Sequence, residues 1–129
     1  MTKPIAFVTG ASRGIGAESA VALAKAGFNV AITARSLEEG EQHTADAAPL
    51  PGSLRATATA IAAQGGEALC LKADILDQAA TVEAAQQAVT HFGRMDLLFN
   101  NAIYQGAGNQ EYLMDVTDEQ LRNMYQGNV

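Results

Sequence analysis

Residues 9–16 read Thr-Gly-Ala-Ser-Arg-Gly-Ile-Gly. Glycine lets a backbone turn tightly and lets a ligand come close to the peptide amides. Amides at the start of a helix point outward with partial positive charge, which suits a phosphate or another anion. A loop of this kind between a strand and a helix is therefore a candidate phosphate seat. Its glycines stand at 10, 14 and 16, a spacing different from the commoner Gly-x-Gly-x-x-Gly.

Two other phosphate or nucleophile loops can be set against it. No Gly-Lys-Ser/Thr follows, so the mononucleotide P-loop is excluded. Gly10-Ala11-Ser12-Arg13-Gly14 does fit Gly-x-Ser-x-Gly, the strand-to-helix elbow that presents a serine nucleophile. That elbow takes part of its oxyanion hole from an earlier loop and needs a late histidine. Only nine residues precede Gly10, and His43 and His91 are the two histidines of the chain. His91, beside a helix-ending glycine, reads as a surface or dipole-facing residue. The hydrolase is a distant third reading.

The elements that must position the loop alternate along the chain. Residues 4–9, 29–34, 67–73 and 95–100 are short apolar runs and read as buried strands. Between them lie helical periods: 15–26 with Ile15, Val21 and Ala24 on one face, 53–64 with Leu54, Ala58, Ile61 and Ala62, and 78–92 with Val82, Ala85, Val89 and Phe92. Gly27, Gly65-Gly66 and Gly93 stand at their ends as stops. Thr117-Asp118-Glu119-Gln120 fits a capping box that opens a fourth helix, with Leu121, Met124, Tyr125 and Asn128 at helical spacing. Strand-helix alternation with apolar strands implies a parallel sheet covered on both faces, doubly wound, in strand order 3-2-1-4. Residues 36–52 form a connection of 17 residues, acidic and with two prolines, where such units use about 2–6. That insertion reads as a solvated loop, with a lid over the ligand as the sharper alternative.

Composition bounds the rest. The chain has 129 residues, one domain's worth, with 48% apolar residues and a formal charge of −6. That charge argues against a nucleic-acid or anionic-membrane partner. The single cysteine, Cys70, reads as a buried strand residue. No secretory leader or spanning stretch is visible, so a cytoplasmic location is expected.

Taken together, these motifs resemble the short-chain dehydrogenases/reductases. Thr9–Gly16 resembles that family's TGxxxGxG cofactor loop. Asn100-Asn101-Ala102 resembles its NNAG motif, Asp74 its aspartate near the adenine ring, and Asn128 its catalytic-site asparagine on the fourth helix. The resemblance implies the first half of a Rossmann-type fold. It implies cofactor contacts from Gly10, Ser12, Arg13, Gly14, Ile15, Gly16, Asp74, Ile75, Asn101 and Ala102, and a strand-tying role for Asn100. In dinucleotide sites an acid after the second strand suits NAD, whereas an arginine accommodates the 2′-phosphate of NADP. Arg35 stands there, and Arg13 adds a second charge, so NADP(H) is preferred over NAD(H). Ile103 departs from the motif, which has glycine. Either the loop keeps ordinary backbone angles there, or its path differs, with Gly106 and Gly108 supplying freedom nearby.

The implied chemistry is hydride transfer to or from a carbonyl or alcohol, with a tyrosine and a lysine four residues later handling the proton. Tyr104, Tyr112 and Tyr125 are followed at that spacing by Gly108, Val116 and Val129, so Tyr-x-x-x-Lys is absent from residues 1–129. Asn128 alone positions a water or a lysine. The expectation is thus a cofactor-binding half, inactive by itself, from a longer enzyme that forms a homo-oligomer. The competing reading is a non-catalytic NADP(H)-binding module.

Overall fold

A computed structural model describes residues 2–35, 53–106 and 110–129. The 36–52 insertion and Gly108 lie outside the described residues. Four strands, β1 (Ile5–Thr9), β2 (Asn29–Ala34), β3 (Ala68–Lys72) and β4 (Leu97–Phe99), form one parallel sheet in the order β3-β2-β1-β4. This is the Rossmann-type arrangement expected from the alternation. Helices α1 (Gly14–Lys25), α2 (Leu54–Ala63), α3 (Gln78–Phe92) and α4 (Asp118–Asn128) complete it, with a 3₁₀ turn at Leu113–Asp115.

Strand periodicity of two divides the core into two layers. Ala6, Val8, Val30 and Ile32 point to one face, where Ala20 and Ala24 of α1 and Leu54 and Ile61 of α2 cover them. Phe7, Ala31 and Leu71 point to the other, against Ala84 and Ala88 of α3. Because β1 and β2 are buried on both faces, they are apolar without alternation.

The helix faces differ from the sequence expectation in informative ways. In α1 the buried residues are Gly16, Ala20 and Ala24, while Ile15 is 73% exposed. In α3 they are Ala84 and Ala88, while Val82 and Val89 are exposed. In α2, Thr57 is buried and Ala62 exposed; the Thr57 hydroxyl donates to the Ala11 carbonyl at 2.7 Å, which removes the cost of burying it. Cys70 lies on β3, an edge strand, and is half-buried rather than buried. β4, at Leu97–Phe99, is shorter than the expected 95–100, and Asp96 stands just before it. Its amide donates to the Ile5 carbonyl, and its carboxylate accepts from the Ile5 amide at 2.8 Å and pairs with Arg94.

The Arg94 guanidinium and the Ile5 amide hold the Asp96 carboxyl below the usual carboxylate range. A depressed folded pKa adds stability that is complete above the unfolded value, about 3.9, and is lost as pH falls through the folded value. Asp96→Asn is therefore expected to lower the melting temperature slightly at pH 7. The gap should close as pH falls below about 4. Melting curves across that range check it; a gap constant down to the acid limit would contradict the pairing.

Candidate functional site

The carboxyl ends of the four parallel strands share one edge of the sheet, and a cleft of about 320 Å³ opens there. It is lined by Gly10, Ser12, Arg13 and Ile15 after β1, by Thr33, Ala34 and Arg35 at the end of β2, and by Ala73 and Ile75 after β3. Asn101, Ala102, Ile103 and Gln105 after β4 complete the lining. The cleft crosses the point where chain direction switches from β1 outward to β2 and to β4, the usual ligand crevice of open α/β sheets. A larger hollow of about 640 Å³ lies along α4, beside Leu121, Arg122, Asn123, Tyr125 and Gln126, and none of the expected cofactor residues borders it.

The glycine loop is built for close approach. Gly14 has φ +58°, and a side chain there would meet no atom within 4 Å, so the space before it is open. Gly16 is the reverse case: a Cβ would overlap the carbonyl of Gly10 and crowd the Asn101 amide. Helices α2, α3 and α4 are each capped by a side chain, from Ser53, Asp77 and Thr117. The N-cap of α1, Arg13, makes no such bond, and no acid lies in its first turn. The leading amides of α1 therefore face the cleft with no side-chain acceptor in place, which fits an anionic group. The guanidinium groups of Arg13 and Arg35, both residues partly exposed, make no ion pair or hydrogen bond among the described residues.

The loop is fastened to β4 through Thr9 and Asn101. The Thr9 hydroxyl accepts from the amides of Asn101 and Ala102 at 3.1 and 3.0 Å. The Asn101 amide group donates to the carbonyls of Thr9 and Gly10, each at 3.2 Å. This tie is made by Asn101 rather than by exposed Asn100. In sequence Thr9 is the last residue of an apolar run and the first of the glycine motif, and neither position discloses this fastening role. Asp74 does not line the cleft; its carboxylate accepts from the Leu76 amide at 2.9 Å and shapes the turn that presents Ile75.

Ile103 keeps an ordinary backbone, since no non-glycine residue among those described has positive φ. Gly106 has no positive φ either, so it does not supply the freedom expected of it. Instead it leaves room for Tyr104, whose phenol a Cβ at Gly106 would overlap. Asn128 also works through Tyr104. Its side-chain oxygen accepts from the Tyr104 amide at 2.8 Å, and its nitrogen donates to the Tyr104 carbonyl at 3.2 Å and to the Met124 carbonyl at 3.0 Å. Its amide group thus steadies the segment that runs on from Ile103.

Gly127 sits against Tyr104 in the same contact: a Cβ there would overlap the Tyr104 Cβ and crowd Leu76. Alanine gains about 1 kcal/mol of helix propensity over glycine, but overpacking costs about 1–3 kcal/mol. Helix α4 buries no residue of its own, so little else holds it in place. Gly127→Ala is expected to lift α4 from the Tyr104 segment and speed hydrogen exchange at the Tyr104 amide several-fold, with the sheet amides unchanged. Unaltered exchange at Tyr104 would show that the contact is not restrictive.

Comparison with known proteins agrees with this geometry. The family model of the short chain dehydrogenases matches residues 4–129. Hydroxysteroid dehydrogenase-like protein 2 of Danio rerio is 44% identical over 97 residues, covering 74% of this chain and 21% of its own. An uncharacterized oxidoreductase of Methylorubrum extorquens is 38% identical over 126 residues, covering 97% of this chain and 44% of its own. Among solved structures, a short-chain dehydrogenase/reductase mutant of Serratia marcescens aligns over 98% of this chain and 45% of its own, at 37% identity and a TM-score of 0.77. A 3-oxoacyl-[acyl-carrier protein] reductase of Brucella melitensis, in complex with NAD, aligns over 98% and 44% at 28% identity and a TM-score of 0.77. This chain thus spans less than half the length of these relatives. Among the described residues, no helix is long and apolar enough to cross a membrane. Family match, sheet order and cleft agree, and the chain belongs to the short-chain dehydrogenase family.

Proposed function

We propose that residues 1–129 form the NADP(H)-binding part of a short-chain oxidoreductase that acts on a small carbonyl or alcohol substrate. The observation that carries the reading is the uncapped start of α1, opening with two unpaired arginines into a cleft at the strand ends. The amides of Gly14, Ile15 and Gly16 take the pyrophosphate. Ser12 lines the same pocket, and Arg35, with Arg13, takes the 2′-phosphate. Ile75 and the turn held by Asp74 border the adenine end, while Asn101 and Ala102 border the nicotinamide ribose. When bound, the cofactor supplies hydride exchange at its nicotinamide ring.

The chain's own residues bind and orient. Thr9 and Asn101 hold the glycine loop against β4, and Asn128 holds the Tyr104 segment, which makes Asn128 a positioning residue here. The relatives' shared oxidoreductase names support the reaction class, and the NAD held by the Brucella melitensis reductase supports a nicotinamide cofactor. A cytoplasmic, homo-oligomeric setting for the longer protein belongs to the same reading.

Tyr-x-x-x-Lys is absent from the chain, and no tyrosine lines the cleft among the described residues. That favours, for these residues alone, a second reading as a non-catalytic NADP(H)-binding module. Titration with NADPH and NADH, followed by an NADPH oxidation assay with simple carbonyl compounds, tests both readings. NADPH binding about a hundredfold tighter than NADH, without turnover by residues 1–129, is the expected result. Failure to bind either cofactor would sink the proposal. Turnover would sink the module.

A further inference from the structure

The two ends of the cleft differ in chemistry. Among its described lining residues the charged ones are Arg13, on the glycine loop, and Arg35, beyond β2. The end beyond β4 has Asn101, Ala102, Ile103 and Gln105, and among the described residues no carboxylate. Ile103 is 62% exposed and Ile15 73% exposed. Neither is buried by its own chain, and both line a concave surface. Ile103 is also unstrained, so its place reflects no demand of the backbone.

We infer that the β4 end of this cleft selects the redox state of the dinucleotide, binding the reduced cofactor in preference to the oxidised one, and that Ile103 is a residue that sets this selectivity. The inference rests on the dinucleotide reading above. Reduced nicotinamide is neutral, whereas oxidised nicotinamide carries a positive charge. Apolar contact from Ile103 replaces water around the ring, which suits the neutral form and penalises the cationic one. No described carboxylate of the cleft lining compensates that charge. The adenylate half is the same in both forms, so the discrimination arises at the Ile103 end alone. Such a site favours entry of the reduced cofactor and release of the oxidised one, and hence the direction of carbonyl reduction.

The test measures dissociation constants of NADPH, NADP⁺ and 2′-phospho-ADP-ribose for the full chain and for Ile103→Thr and Ile103→Val. Threonine keeps the β-branch and adds a hydroxyl; valine stays apolar. Both sit at an exposed position, so folding is not at issue. The expected result is NADP⁺ bound about threefold to tenfold more weakly than NADPH by the parent chain. That ratio should be retained in Ile103→Val and fall toward one in Ile103→Thr, with 2′-phospho-ADP-ribose bound equally by all three. A ratio of one in the parent chain, or an undiminished ratio in Ile103→Thr, overturns the role of Ile103 while leaving the dinucleotide site standing. Failure of the parent chain to bind either 2′-phospho-ADP-ribose or NADPH overturns the dinucleotide reading and this inference with it.

Discussion

Gly16→Ala is expected to cost about 3 kcal/mol of folding stability and to abolish cofactor binding together. The added Cβ would fall on the carbonyl of Gly10 and against the Asn101 amide nitrogen. The first of these is backbone, which cannot swing aside as the tip of a side chain can. Relieving the overlap means moving the start of α1 away from the end of β1, and that breaks the Asn101 bonds to Thr9 and Gly10. Alanine's helix propensity returns only about 1 kcal/mol. Gly14→Ala provides the contrast. It strains a φ of +58° but meets no neighbour within 4 Å, so about 1–2 kcal/mol is expected. Chemical denaturation of both variants checks the order. Gly16→Ala no worse than Gly14→Ala would show that the loop yields easily and that the cleft is not preformed.

The same contrast explains what could be read before any coordinates. Gly10-x-x-x-Gly14-x-Gly16 is legible because glycine spacing reports backbone demands directly. The capping box at Thr117 is legible for a similar reason: its bonds, from the Gln120 amide to the threonine hydroxyl and from the Thr117 amide to the Gln120 side chain, span four residues. Strand order follows from alternation and handedness, and β2 spans the expected residues 29–34.

Helix faces were less legible. A hydrophobicity pattern favours Val82 and Val89, but Ala84 and Ala88 are the residues of α3 buried against the sheet. Small side chains let a helix lie close to a sheet, and apolar size does not report that closeness. The Leu113–Asp115 turn carries no periodic signal; its Leu113 and Met114 are almost fully exposed. The Asn128–Tyr104 bonds were also invisible, since they join residues separated by 24 positions through side-chain amide and backbone.

The remaining large effect concerns charge. Arg13→Ala with Arg35→Ala is expected to weaken NADPH binding by about a hundredfold while leaving NADH within about threefold. A charged hydrogen bond contributes about 1.5–3 kcal/mol, and about 1.4 kcal/mol is tenfold in affinity. Both arginines are partly exposed, so solvent screening places each near the lower end of that range. Two such groups acting on one phosphate give about a hundredfold, and Arg35 alone about tenfold. Exposed charge is also sensitive to salt, because the screening length falls to about 3 Å at 1 M. The parent chain should therefore lose much of its NADPH preference at high salt, and the double variant should show little change. Equal weakening of NADPH and NADH would move the arginines from the 2′-phosphate to the pyrophosphate, since both cofactors share the pyrophosphate and only one carries the extra group. Calorimetric titration at two salt concentrations separates these cases, because only a 2′-phosphate contact makes the difference between the cofactors, and not merely their affinity, depend on salt.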